Sequence, residues 1–309
     1  MFLHRAARLL GPALPAASAH APVNAARPPA PKPEPLPTRT LAAEGGQLAY
    51  DDSGGPGPLV VAVPGMGDLR SEYRALRPLL RAAGYRVVTL DVRGFGESSA
   101  QWDDLSARAV GRDVQRLIRH LNAGAGVVLG NSFAAGSALW AAREAPSLVR
   151  GVVLLGPIVR DGEPNAIVDR LVRLGFAGPW RVRFWMGYWN SLFPSRKPLD
   201  HDQAAAALEA NLREPGRMDA LRTMVALRKT QTEAIVHDTR VRALVVMGTR
   251  DPDFKHPAHE ARWLAHALQA QALLVDGAGH YPHLERADAV APALLRFLRE
   301  VAPPPGNAS

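Results

Sequence analysis

One serine stands between an aliphatic run and an alanine-rich stretch, in Val127-Val128-Leu129-Gly130-Asn131-Ser132-Phe133-Ala134-Ala135-Gly136. A buried strand that turns straight into a helix at Ser132 would hold its hydroxyl proud of a sheet edge. Small residues at 130, 134 and 136 leave room for so tight a turn. Taken alone, the serine could equally cap the helix. A hydroxyl becomes a useful nucleophile only beside a base. His280 is the candidate base, in Gly277-Ala278-Gly279-His280-Tyr281-Pro282-His283-Leu284-Glu285, where glycines suit a sharp loop. His283 lies nearer the following helix and reads as a structural or surface histidine. The base needs a carboxylate that fixes its tautomer and stabilises the imidazolium. Gly248-Thr249-Arg250-Asp251-Pro252-Asp253 supplies two, with Asp251 the first choice and Asp253 the runner-up.

Acyl attack by such a serine puts negative charge on the carbonyl oxygen, which two preorganised N–H donors must meet. The backbone N–H of Phe133, next after the serine, is one candidate. Met66 N–H, in Val63-Pro64-Gly65-Met66-Gly67-Asp68, is the other, because the glycines let the backbone approach a ligand closely. Asp251, Asp253 and His256 could be drawn as a metal set. They lie on an irregular loop with no soft ligand, so no metal is expected, and no cofactor.

Those residues need a rigid frame. Short apolar runs at 59–63, 86–90, 126–130, 151–155, 243–247 and 272–275 are each followed by Gly, Asp or Pro, as for strands buried on both faces. Helical patterns at 72–83, 107–122, 134–144, 260–268 and 288–301 alternate with them. That rhythm predicts an α/β fold, a mostly parallel sheet with flanking helices. Residues 47–51 suit an added edge strand. The rhythm breaks at 157–242, where 204–212 and 218–236 read as helices. The aromatic stretch 176–193 holds Trp180, Phe184, Trp185, Tyr188 and Trp189. The expectation is a helical lid inserted between strands, with Trp185 and Trp189 lining a substrate pocket; the alternative is that these rings pack only among themselves. The core would then comprise residues 41–156 and 243–303.

The 309 residues are 47% hydrophobic, enough for one large core, and contain no cysteine, which excludes disulfides, thiolate metal sites and a cysteine nucleophile. The formal net charge of +8 is spread singly rather than in a basic stripe, so nucleic acid is not expected as a partner. No apolar run is long enough for a membrane helix. Residues 1–40 form a separate tail. Pro28-Pro29-Ala30-Pro31-Lys32-Pro33-Glu34-Pro35-Leu36-Pro37 reads as an extended linker. The basic start, the weakly apolar stretch and Ala17-Ser18-Ala19 resemble a secretory signal. The apolar stretch is short and broken by Pro12 and Pro15, which favours a disordered cytoplasmic tail over export.

Five segments taken in order resemble the α/β-hydrolase superfamily: Pro64-Gly65-Met66-Gly67, Leu90-Asp91-Val92-Arg93-Gly94-Phe95-Gly96-Glu97-Ser98, the Ser132 turn, Gly248 to Asp251, and the His280 loop. The resemblance spans residues 47–301 and implies that superfamily's fold, with Asp91 and Arg93 architectural. Two departures stand out. Many relatives carry His-Gly where this chain has Pro64-Gly65, so hydrogen bonding from side chain 64 is lost. Ser132 argues against the dehalogenases and epoxide hydrolases of the superfamily, which use an aspartate nucleophile. The Gly-Asn-Ser turn also resembles C–C bond hydrolases, whose glycine-richer loop is not matched. The resemblance implies a serine hydrolase acting on a small, apolar carboxylic ester through an acyl-enzyme. A C–C hydrolase, thioesterase or perhydrolase would use the same residues, and a non-catalytic hydrolase-like receptor is the reading from another class.

Overall fold

Eight strands form one sheet in the computed structural model, which describes residues 36–163 and 165–305. They are β1 (Arg39–Ala43), β2 (Gly46–Asp52), β3 (Leu59–Val63), β4 (Arg86–Leu90), β5 (Gly126–Asn131), β6 (Val149–Leu155), β7 (Arg242–Gly248) and β8 (Gln271–Val275). Their order across the sheet is β1-β2-β4-β3-β5-β6-β7-β8. The β1–β2 and β2–β4 pairs are antiparallel and the other five are parallel. From β3 the chain goes to β4 on one side and later to β5 on the other. The carboxyl ends of β3 and β5 therefore flank a topological switch point, where open α/β sheets place their sites.

Strands buried on both faces need apolar side chains at every position, and β3 shows this. Leu59, Val61 and Val63 join the core on one face, and Val60 and Ala62 the core on the other. Helix α1 (Leu76–Ala82) packs on the second face. Helices α2 (Ala107–Leu121) and α3 (Phe133–Glu144) pack on the first. Ser106 caps α2 by accepting from Ala109 N (3.2 Å), and Asn122 ends it in the left-handed conformation. Between β6 and β7 come α4 (Ala166–Ala177), α5 (Arg181–Ser191), α6 (His201–Leu212), α7 (Arg217–Ala226) and α8 (Thr230–Val236). The chain closes with α9 (Pro257–Ala267) on the first face, a short α10 (Pro282–Glu285), and α11 (Ala287–Val301) on the second.

Several expected boundaries move, each for a physical reason. The helix expected at 72–83 is a 3₁₀ turn, Arg70–Arg74, followed by α1. Pro78 offers no N–H to the carbonyl of Arg74, so one continuous helix is unfavourable there. The single helix expected at 218–236 is two, α7 and α8, because Leu227 is extended (φ −66°, ψ 132°). Strand β1 was not expected. It pairs with β2 across a tight turn at Glu44-Gly45, and Thr38 Oγ1 donates to Glu97 Oε2 (2.7 Å). Strand β1 thus starts inside the span read as tail. The signal-like segment and most of the Pro-rich stretch lie outside the described residues. No helix among the described residues is long and apolar enough to cross a membrane.

Candidate active site

Ser132 lies at the corner where β5 becomes α3, with φ 56° and ψ −122°. A side-chain-bearing residue adopts such a backbone only when its surroundings enforce it. Here Ser132 N donates to Leu155 O (2.9 Å), and Ile158 N donates to Ser132 O (3.1 Å). The corner is so tight that a Cβ on Gly130 would lie 2.3 Å from Ala134 O. Phe133 is the first residue of α3, where an N–H has no acceptor within its own helix. Its N–H is available at the helix's positive end.

His280 is carried on the loop after β8, and its Nδ1 lies 2.8 Å from Asp251 Oδ2, on the loop after β7. Asp253 Oδ2 is 3.6 Å from the same nitrogen. Asp251 Oδ1 accepts from Asp253 N (3.0 Å), and Tyr188 Oη of α5 donates to Asp253, 2.8 and 2.7 Å from its two oxygens. The first-choice acid therefore holds the closer contact, and the runner-up stands behind it, occupied by a tyrosine. All three charged residues are buried. Burial opposes a charge on His280, but the two carboxylates outweigh it and raise its pKa to about 9. Burial raises the pKa of Asp253. Asp251, Asp253 and His280 come within 4.8 Å of one another, close enough to share a cation; His256 does not join them.

The loop after β3 is held from below. Gly65 N donates to Glu72 Oε2 (3.0 Å), and a Cβ on Gly65 would lie 3.2 Å from Ser132 Cβ. Glu72 Oε1 lies 3.0 Å from His283 Nε2 without the alignment of a hydrogen bond. Burial raises Glu72 well above the usual carboxylate range and lowers His283 to about 3, which leaves the imidazole neutral near pH 7. Tyr73 stacks on His283. His283 is thus a core residue beneath the loop. Asp68 ties the same loop sideways: its Oδ2 accepts from Trp189 Nε1 (3.0 Å) and Tyr281 Oη (2.8 Å). Trp185 Nε1 donates to Gly67 O (3.2 Å). Glu285 Oε1 accepts from Gly279 N (2.6 Å), and its Oε2 from Ser195 Oγ (2.6 Å), joining the His280 loop to the insertion.

Next to this cluster opens a cavity of about 550 Å³, with an apolar lining from Met66, Ile158, Val172, Phe176, Val225 and Leu227. Trp185 and Trp189, expected at a pocket wall, are instead buried and hydrogen-bonded to the Gly67–Asp68 loop. Phe176, from the same aromatic stretch, reaches the cavity. Glu72, Asp68, Asn131 and Tyr188 escaped the sequence reading as site residues. Asn131 Nδ2 donates to Leu155 O (3.0 Å) and His280 O (3.2 Å), fastening the base's loop to the strand. Asp68, directly after the glycine loop, Asn131, directly before the serine, and Tyr188, in the aromatic stretch, each had a local signal; Glu72 had none.

Comparison with known proteins agrees with this architecture. A model of the family described as "Alpha/beta hydrolase family" matches residues 60–293. The polyketide synthase ThaQ of Burkholderia thailandensis is 29% identical over 280 residues, which are 84% of this chain but only 13% of that protein's length. A 2-hydroxy-6-oxo-6-phenylhexa-2,4-dienoate hydrolase of Burkholderia cepacia is 27% identical over 245 residues, 76% of this chain and 84% of its own. The solved structure of a thermophilic esterase from Thermogutta terrifontis superposes with a TM-score of 0.69 at 23% identity, covering 86% of this chain and 99% of that one. At that identity the likeness is one of fold.

Proposed function

Because the chain belongs to the α/β-hydrolase family, we propose that it is a serine hydrolase that cleaves a carboxylic ester through an acyl-enzyme. The observation that carries this reading is the enforced backbone of Ser132 at the switch point, on the sheet edge that also bears the His280–Asp251 pair. In the proposal, His280 Nδ1–H donates to Asp251, so Nε2 is the free base. Ser132 Oγ attacks the ester carbonyl and its proton passes to Nε2. The carbonyl oxygen takes the negative charge and accepts from the N–H groups of Met66 and Phe133. Collapse breaks the bond to the alcohol, which leaves with the proton from Nε2. Water then repeats the sequence: it attacks the acyl carbon, gives its proton to Nε2, and the carboxylic acid leaves as Ser132 recovers its proton. The insertion serves as the lid, with its cavity taking the acyl chain.

A serine-directed fluorophosphonate probe, used beside hydrolysis of 4-nitrophenyl esters, tests the reading. Wild-type protein should be labelled and should turn over, and Ser132→Ala should do neither. An unlabelled, inactive wild-type protein would favour the receptor reading. One observation favours a second reaction: the Gly130-Asn131-Ser132 turn, together with the Burkholderia cepacia relative, supports a C–C hydrolase. Loss of the dienol chromophore of a ring-cleavage product, faster than any ester is cleaved, would select it. Thioesterase and perhydrolase activity rest on the same triad and are separated by the same comparison of substrates.

A further inference from the structure

The cavity that Met66 and Ile158 border, which Ser132, Asp251 and His280 do not line, has an uneven wall. Its floor is apolar, but its rim carries five basic side chains, Arg160, Arg173, Arg222, Arg228 and Lys229, against three acidic ones, Asp161, Glu163 and Asp169. Some of the cations are already used. Arg160 grips Glu260 with two hydrogen bonds (2.9 and 2.6 Å) and lies over Trp263. Arg228 Nε donates to Asp161 Oδ2 (3.0 Å). Two are not. Arg173 is exposed and has no hydrogen-bond or ion-pair partner among the described residues.

Lys229 is the more telling. Its side chain is only 18% exposed, yet Nζ donates to Leu227 O (3.0 Å) and stands 4.0 Å from Asp161 Oδ1, beyond hydrogen-bond reach. An ammonium has three protons to place. Withdrawing it from water without placing them is costly, and burial accordingly lowers its pKa. The Lys229 backbone N–H also donates to Asp161 (3.1 Å), which anchors the residue's backbone at the wall. The buried carboxyl of Asp253 adds a smaller electrostatic pull on it.

We propose that Lys229, assisted by Arg173, binds a compact anion on the substrate, a carboxylate or phosphate at the end of a chain that lies along the apolar floor. The proposal rests on the serine-hydrolase reading for the reaction, but not for the binding. An anion at Lys229 would satisfy the remaining ammonium protons in a site shielded from water, where such a charge-assisted bond is strongest. A neutral chain of equal length would leave them bare.

Two kinetic arms distinguish where the anion sits. The first compares 4-nitrophenyl hemiglutarate with 4-nitrophenyl pentanoate, which differ by a carboxylate on the acyl chain. The second compares acyl-phosphopantetheine with acyl-pantetheine, which differ by a phosphate on the leaving group. The expected result is a kcat/KM ratio above about 10 in favour of the anion in one arm, falling by about 10- to 100-fold in Lys229→Met. Arg173→Gln, at an exposed position that leaves the fold intact, should lower the same ratio by a smaller factor. A third measurement needs no turnover: tryptophan-fluorescence titration with pentanoate and with pentanamide. Tighter binding of pentanoate, lost in Lys229→Met, supports the site even if no ester is cleaved, in which case the esterase reading alone fails. Ratios near one in both arms overturn the proposal, as do ratios unmoved by both substitutions, or equal binding of pentanoate and pentanamide.

Discussion

The loops at the carboxyl edge of the sheet and the helical insertion above them place their polar groups by different means. Each loop follows its strand within a few residues, so Ser132, Asp251 and His280 are fixed by turns that their own sequence dictates. The insertion has no such frame. Its polar groups find partners far along the chain: buried Tyr188 reaches Asp253, buried Trp189 reaches Asp68, and Ser195 at the surface reaches Glu285. Reaction chemistry can thus be concentrated in short local motifs, while the insertion braces those motifs and shapes what they meet. If the division is real, damage at the edge should stop chemistry and damage in the insertion should change stability or selectivity.

The sharpest break is Ser132→Ala, which should lower kcat by about 10⁶-fold with little change in melting temperature, leaving only what binding and the two N–H donors provide. A variant that keeps most of the wild-type turnover removes Ser132 from the reaction. Next in size is Asp251→Asn, which presents an amide to Nδ1, favours the wrong imidazole tautomer and should cost about 10⁴-fold. Asp253→Asn should cost far less and should instead move the pH profile. His280 works as a base only when neutral, and its pKa is raised to about 9, so kcat/KM should rise with pH through the alkaline range. Removing the carboxylate 3.6 Å from Nδ1 takes away part of what stabilises the imidazolium, and the rise should shift down by about one pH unit. Equal losses for the two amides, or an upward shift, would reverse their roles.

Legibility in the sequence followed the same division. The aliphatic runs gave six strands of the parallel sheet and the turn residues at their ends, because burial on both faces leaves a dense local signal. Strand β1 was missed because an exposed edge strand such as Arg39-Thr40-Leu41-Ala42-Ala43 carries no such run. Trp185 and Trp189 were placed at a pocket wall because an aromatic cluster says only that rings are buried together. Which way each indole N–H points depends on Gly67 and Asp68, more than a hundred residues earlier. Glu72 and His283, more than two hundred residues apart, carry no common pattern at all.

Within the insertion, Trp185→Ala or Trp189→Ala should lower stability by about 3–5 kcal/mol, the cost of emptying a large core site, with the preference among acyl chains nearly unchanged. Phe176→Ala, at an equally buried residue that lines the cavity, should lower stability by a similar amount and in addition shift relative kcat/KM between short and long acyl groups by about 1–3 kcal/mol. The selectivity ratio therefore separates the two, and an altered ratio in the tryptophan variants would return them to the pocket wall. Over a single pH unit, the effect at His283 is the smallest. It titrates near 3 when folded and near the ordinary histidine value when unfolded, so between those values the unfolded chain binds the extra proton. Its contribution to stability is therefore complete above about pH 6.5 and is lost as pH falls toward 3, by at most about 1.4 kcal/mol per pH unit. Denaturant titrations across this window should show a shallower pH slope in His283→Gln than in wild type; an identical slope would mean that the imidazole is not buried neutral.

The contacts of the insertion also give it a grain. Along α5 and the segment after it, it is fastened through Trp185 and Trp189 to the loop after β3, through Tyr188 to the loop after β7, and through Ser195 to Glu285 beyond β8. Along α4 and the end of α7 it borders the cavity. The side at α6 and α7 is pinned as well: Asn211 exchanges hydrogen bonds with Gly96 (2.9 and 3.0 Å), and Arg217 Nη1 donates to Ser98 O (2.6 Å). The insertion is thus riveted along two seams, and in the proposed reaction a substrate would pass α4, which carries neither seam, while His280 and the Gly65 loop keep their aim.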